Sequence, residues 1–451
     1  MNLVFIFSVV LKGLGAVLEI LLQIAITGYL GVSGYGTYSA WINFADLLFW
    51  VAFSGLIKCN TFYLSGKQSA IRRFKKGYYI RYALPLLAVA GVLSVILGRS
   101  VLAVFVPVIT MLELLVMDRS STLLTRGKSS TSLVGEYVLG RLILVVGVML
   151  LGRLELLGLA GLLLLYVLQY CLVLLFFLLR QGKGRAYTDI SGEVSLKKWG
   201  AYQFSDLMHS MIEQMPVVMQ FCFSGAFEAG VVSVVLLVKK LINFISGPTA
   251  KIFLPEFSRL YKSGDYTQIR DVYGSIMRIQ MLIVGPVAVV LLGFPRVVLR
   301  VLAKELVDYD WLFMGCSVIF LLVATLGPCG GILQMTGHEK TDNRIRGCAL
   351  IVMAAVMLLT VWDRYFVLYG LCVEVAVEAV AKYCYICRWM KRAPASLGSY
   401  LLCWMVPSLA VILAHVLKVG DSFPMMLLFA GSVFGYHAWR ELKLNQVFKR
   451  K

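Results

Sequence analysis

The chain has 451 residues, 60% hydrophobic and only 15% charged, with a formal net charge of +19. Such a composition leaves no room for a sizeable water-soluble domain. In a soluble chain the basic excess would suggest a nucleic-acid footprint, but its placement along this chain argues against that partner.

Apolar runs long enough to cross the hydrocarbon, which takes about 20 residues per helix, recur in chain order at 5–27, 37–62, 78–98, 101–124, 132–151, 156–180, 199–222, 229–254, 276–294, 309–335, 347–363, 365–390, 399–417 and 423–439. Each is expected to be a helix, because a bilayer leaves every backbone polar group to be satisfied within the segment. Met1–Val10 has no basic stretch and no small-residue cleavage site follows, so the first helix is expected to be retained.

The short segments between runs alternate in charge. With the N-terminus cytoplasmic, the inner segments and tail hold 29 of the 43 basic residues and the outer segments only seven. Basic loops stay on the cytoplasmic side during insertion, so both termini are predicted on the cytoplasmic side of the membrane. Anionic membrane lipids are then natural partners of the basic face. The ten cysteines lie in or beside the spans and imply no disulfide framework. Cys384 and Cys387 form a C-x-x-C that on a helix reads as packing, without the second pair a structural zinc site needs. No metal or organic cofactor is expected.

The chain also repeats itself. Gly31-Val-Ser-Gly-Tyr-Gly36-Thr-Tyr-Ser39 aligns with Gly225-Ala-Phe-Glu-Ala-Gly230-Val-Val-Ser233 at a spacing of 194, which also places Glu19 on Glu213 and Asp46 on Lys240. Leu64-Ser65-Gly66 resembles Lys262-Ser263-Gly264, and Pro85 and Pro286 occupy similar places. Helices 1–6 and 7–12 therefore read as two copies of one six-helix unit. The predicted organisation is an N-terminal lobe 1–180, a cytoplasmic linker 181–198, a second lobe 199–392, and an appendix 393–451 carrying helices 13–14 and a basic tail.

Polar residues inside the runs fall on stripes. Ser8, Lys12, Glu19, Gln23 and Thr27 occupy a roughly 100° arc of the first helix, and Gln203, Asp206, His209, Glu213 and Gln220 a roughly 120° arc of the seventh. The second helix places Ser39, Asn43 and Asp46 on one face, and the eighth Ser233, Lys240, Asn243 and Gly247, with Lys239 adjacent. Seven such charges facing lipid would cost on the order of 20 kcal/mol. They are read as converging on a hydrated chamber walled by helices 1, 2, 7 and 8, against a plainer reading as buried ion pairs that hold the halves in register. Pro216 and Pro248 each remove a helical donor and are expected to kink their helices. Glu113, Arg141, Glu374, Glu378 and Lys382 also lie in spans and read as structural.

Three motifs carry a family resemblance. Gly31-Val-Ser-Gly-Tyr-Gly-Thr-Tyr resembles the helix 1–2 turn of polysaccharide transporters. Leu254-Pro255-Glu256-Phe257-Ser258-Arg259-Leu260 with Ser263-Gly264-Asp265 resembles their segment after helix 8, and Gly331-Ile-Leu-Gln-Met-Thr-Gly-His-Glu-Lys340 their helix 10 ending. In register along the chain, they resemble the O-antigen and teichuronic-type flippase branch of the multidrug/oligosaccharidyl-lipid/polysaccharide (MOP) exporter superfamily. The resemblance implies an all-α polytopic membrane protein of about 14 spans, built as a MATE-like V of two pseudo-symmetric six-helix bundles plus two C-terminal helices. It implies no catalysis. The implied activity is alternating-access translocation of an undecaprenyl-pyrophosphate-linked oligosaccharide to the outer leaflet, with glycan-assembly proteins as further partners. Lys12, Lys239 and Lys240, with Lys58 nearer the cytoplasmic mouth, are the headgroup candidates. Glu19, Asp46, Asp206 and Glu213, with His209, are candidates for counter-charge or for a coupling proton or sodium ion. A drug or cation antiporter of the same superfamily is the main rival, and helices 13–14 weigh against it. A membrane glycosyltransferase or polymerase is the weaker rival: Asp308-Tyr-Asp310 has acidic spacing suited to a metal, but no large external loop accompanies it.

Overall fold

A computed structural model describes residues 3–57, 69–98, 101–126, 128–181, 188–189, 191 and 196–390. Lys58, the predicted runs 399–417 and 423–439, and the tail lie outside the described residues. Every run predicted between 5 and 390 is helical over most of its described residues, 58–62 of the second run lying outside them. Backbone packing divides the chain into two compact units, 1–233 and 234–451.

The first unit begins with α1 (Leu3–Ala52), 50 residues long. A straight helix of that length would reach about 75 Å, more than twice the ~30 Å hydrocarbon. It breaks at Gly31, where φ 70° and ψ 177° suit only a residue without Cβ. Glu19 thereby comes within electrostatic reach of Tyr35 and Tyr38, which a continuous helix would place about 24–28 Å away. The predicted first and second helices are the two arms.

Next come β1 (Ser69–Ala70) and α2 (Arg72–Tyr78), which passes through a π-helical turn at Tyr79–Ala83 into α3 (Leu84–Gly98). A 3-10 turn at Val101–Val104 leads to α4 (Phe105–Thr125). Then α5 (Ser129–Leu133) runs through a second π-helical turn, Val134–Leu139, into α6 (Gly140–Arg153), followed by α7 (Leu159–Gln181). Short β2 (Thr188–Asp189) pairs in parallel with β1, and Phe74 N–H donates to Ser191 Oγ at 3.1 Å, so the segments 69–74 and 188–191 are tied together. α8 (Leu196–Glu213) and α9 (Met215–Ser224) are the predicted seventh helix, broken at Gln214 just before Pro216 as the missing donor requires.

Ile26, Ile109, Val148, Leu162 and Phe177 form the fully buried centre of the first unit. On α7, Leu164, Leu168, Leu172, Leu175 and Leu179 are exposed at helical spacing, a stripe suited to acyl chains. Gly225, at φ 110° and ψ −174°, repeats the break of Gly31 and starts α10 (Ala226–Ser263). Positions 194 apart then meet. Ser233 donates to Ser39 Oγ at 2.8 Å, a Cβ on Gly36 would strike the Ala226 carbonyl, and one on Gly230 would strike the Val32 carbonyl. Each backbone contact is the counterpart of the other, as in an isologous contact.

In the second unit α10 continues as unbroken helix through Pro248. Then follow α11 (Tyr266–Gly293), α12 (Pro295–Leu302), a 3-10 turn at Lys304–Tyr309, α13 (Asp310–Thr325), α14 (Cys329–Met335), α15 (Glu339–Leu359) and α16 (Phe366–Trp389). Gly327, at φ 82°, divides the predicted run 309–335, and the Leu326 carbonyl exposed there accepts from the Tyr273 hydroxyl at 2.6 Å. Asp265 caps α11, accepting from Gln268 N–H at 3.0 Å and from the Thr267 hydroxyl at 2.7 Å, which holds its carboxyl below the usual aspartate range. Two of the resemblance motifs converge here: Tyr261 and His338 rings lie 6.4 Å apart, and His338 lies 4.9 Å from Trp389 at the end of α16.

Among the described residues, Val10–Val51, Ser130–Arg153, Leu159–Arg180 and Lys304–Met335 are helical stretches long and apolar enough to cross a bilayer. The chain is a multi-pass membrane protein.

Candidate functional site

A polar cluster occupies the first unit where α1 meets the π-helical turn between α5 and α6. The approach is close because Gly15 has no side chain: a Cβ there would lie 2.7 Å from the Tyr137 carbonyl. Lys12, one turn earlier, thus holds its ammonium 5.3 Å from the Tyr137 ring centre. The Arg141 guanidinium lies 5.8 Å from the same ring, so two cations share one aromatic. Arg141 Nε donates to Glu19 Oε2 at 2.8 Å and Nη1 to the Glu136 carbonyl at 3.2 Å. The Glu136 carboxyl bonds Ser120 and lies within reach of both Lys12 and Arg141, and Ser120 in turn meets Ser132 at 2.6 Å. The Glu19–Arg141 pair is about a third exposed, so it can exchange partners with an entering anion at modest cost.

Deeper in the unit, Asp46 on the second arm of α1 lies within electrostatic reach of Glu113 on α4. Thr110 fixes the register there, its hydroxyl donating to the Ala45 carbonyl at 3.2 Å and the Val106 carbonyl at 3.0 Å. Tyr166 and Tyr170 lie within electrostatic reach of both acids and Tyr38 of Asp46, and Tyr38 and Tyr166 of Glu19 as well.

The remaining predicted residues are placed as follows. Glu213 ends α8 at the Pro216 break and is half-buried. Asp206 and His209 lie on α8, with side chains outside the described residues. Lys239 and Lys240 belong to α10 in the second unit, Lys239 buried within electrostatic reach of Cys372 and Lys240 exposed. Lys12 and Glu19 are thus brought into one cluster. Sequence reasoning set Arg141 and Glu113 aside as structural and passed over Glu136 and Tyr137. Arg141's partner is 122 residues away, and a lone charge on an apolar helix joins no stripe. The π-helical turn that aims Glu136 and Tyr137 has no signature in periodicity.

The second unit holds another charged group. Lys382 Nζ lies 2.5 Å from Asp342 Oδ1 and also bonds Glu378. Arg346 Nε lies 3.3 Å from Glu378, and Gln334 donates to Asp342 at 2.9 Å. Glu374, fully buried, precedes Glu378 by one turn. Asp310, weighed above as a metal ligand, is held by Arg296 at 2.7 Å. Among the described residues, no three His, Cys, Asp or Glu side chains group as a metal site.

No protein-family model and no curated sequence matches the chain. Solved structures do. The lipid II flippase MurJ in an inward closed conformation aligns with a TM-score of 0.68 at 12% identity, covering 97% of this chain and 99% of its own. The fold is that of a MOP superfamily transporter. An inward-facing multidrug resistance MATE transporter of that superfamily aligns with a TM-score of 0.62 at 15% identity, over 86% of this chain and 98% of its own. A MOP superfamily transporter from Pyrococcus furiosus, described as having a binding pocket of reverse polarity, aligns at 0.57 and 12% identity over 86% and 94%. These matched structures are transporters and a flippase.

Proposed function

We propose that the chain is a flippase carrying an undecaprenyl-pyrophosphate-linked oligosaccharide from the inner to the outer leaflet of a bacterial cytoplasmic membrane, for surface polysaccharide assembly. It works by alternating access through fourteen spans in two duplicated six-helix bundles and an appendix, with both termini cytoplasmic. The observation that carries this reading is Lys12 and Arg141 converging on Tyr137, each beside an acid. A pyrophosphate crossing the bilayer must exchange its water for fixed donors. An ammonium and a forked guanidinium supply them, while Glu19 and Glu136 neutralise them when the site is empty. The aromatic face of Tyr137 suits both the cations and a sugar ring. Lys239, Lys240 and Lys58 are proposed as further headgroup contacts, and Asp206, His209 and Glu213 as counter-charge. Two features favour the flippase over an antiporter of the same fold: the lipid II flippase aligns with 97% of this chain where the MATE transporter aligns with 86%, and the sequence carries two predicted helices beyond the duplicated twelve.

The test is complementation of a deletion strain that depends on the protein for its surface glycan. Lys12→Ala, Arg141→Ala, Lys239→Ala and Lys240→Ala should each abolish the glycan at normal protein levels. Full glycan in all four contradicts the headgroup assignment. Raised drug resistance in the same cells, with no effect on glycan, would instead select the antiporter.

A further inference from the structure

Two cysteines that the transport reading does not use meet in the second unit. Cys372 of α16 donates its thiol hydrogen to Cys316 Sγ of α13 at 3.5 Å. Both are free thiols and nearly buried, at 7% and 5% exposure. The Tyr309 and Tyr365 rings, just ahead of the same two helices, lie 5.9 Å apart. Each of these pairs is separated by 56 residues in sequence, and the cysteines follow the tyrosines by seven residues on both helices. Two contacts with one offset make α13 and α16 parallel neighbours in matched register over two turns. A bond between the sulfurs, about 2.0 Å long, therefore needs no sliding of one helix along the other. A thiolate is the reactive form of cysteine, and it would find a cation here, because buried Lys239 lies within electrostatic reach of Cys372.

We propose that Cys316 and Cys372 are an oxidation site, converted by a hydroperoxide into a disulfide that staples α13 to α16. The Cys372 thiolate attacks one peroxide oxygen and the O–O bond breaks, leaving a sulfenic acid, while the displaced hydroxide takes up the thiol proton as water. The Cys316 sulfur then attacks the sulfenic sulfur, and the hydroxyl leaves with the second thiol proton as another water. The two sulfurs give up two electrons, and the peroxide is reduced to two waters. A hydroperoxide suits the site because it is small and uncharged, whereas a protein oxidant could not reach sulfurs about 10 Å along the helices from their starts. In the orientation proposed above those starts are on the outer side, where disulfides persist.

The test is hydrogen peroxide treatment of the purified full-length protein in lipid vesicles, followed by alkylation of the remaining thiols in denaturant and peptide mass spectrometry. The first two of the ten thiols lost should be Cys316 and Cys372, recovered as one linked pair that dithiothreitol returns to thiols. In Cys316→Ser the sulfenic acid has no thiol to resolve it, so dimedone should trap it on Cys372. Survival of both thiols after other cysteines have reacted, or their separate oxidation without a link, overturns the proposal and leaves the contact as packing. The wild-type result is decisive if the variant does not fold. No glycan substrate is present, so failure here leaves the flippase reading standing, and failure of glycan complementation leaves this site standing.

Discussion

The two units face the same difficulty, ionisable side chains inside a bilayer, and resolve it differently. In the second unit Asp342, Glu378, Arg346 and Lys382 close on one another, with Gln334 satisfying a remaining oxygen. In the first unit the Glu19–Arg141 pair is partly open, Lys12 stands over a ring, and Glu113 has an oxygen with no donor. Charges that close on one another hold a shape, whereas a partly exposed pair can exchange a partner with a ligand. We propose scaffolding for the one cluster and transport for the other.

Breaking the second cluster should have the largest effect. Asp342→Ala leaves Lys382 and Arg346 to share Glu378 and should cost about 3–5 kcal/mol, read as loss of monodisperse protein and of thermal stability in detergent. Asp342→Leu combined with Lys382→Met should be milder than Asp342→Ala alone. Gly36→Ala comes next: its Cβ would meet backbone atoms of Ala226 and Gly230, which no rotamer change can clear. Separating those helices should cost about 1–3 kcal/mol by the same thermal assay. Glu113→Gln should lose no stability, because the amide keeps the shape of the buried carboxyl and cannot ionise. A large loss there would erase the contrast between the units.

The smallest effect is at Asp265. Its carboxyl is lowered, chiefly by the Gln268 N–H and then by the Thr267 hydroxyl. The cap therefore contributes fully above the ordinary aspartate value of about 3.9 and fades as pH falls through the lower folded value. Asp265→Ala should speed amide exchange at residues 266–268 at neutral pH and make no difference in strong acid.

Much of the fold was legible because lipid imposes a simple rule on sequence. Apolar runs found the helices, and the duplicated glycines found both chain reversals, since Gly31 and Gly225 take backbone angles closed to other residues. Pro216 announced its break for the same kind of local reason. Gly327 did not, because its run is apolar on both sides and its reversal depends on packing against Tyr273. The site was half legible. Stripes on single helices exposed Lys12 and Glu19, but pairing across helices, as in Arg141 with Glu19 or Glu113 with Asp46, depends on tertiary register that no helical period encodes.

Binding of undecaprenyl pyrophosphate to the purified protein tests the central claim most directly. The account predicts that Lys12→Ala with Arg141→Ala weakens it about tenfold or more and leaves the phosphate-free polyprenol unaffected. Equal affinity of the double variant and the wild type for the pyrophosphate would contradict it.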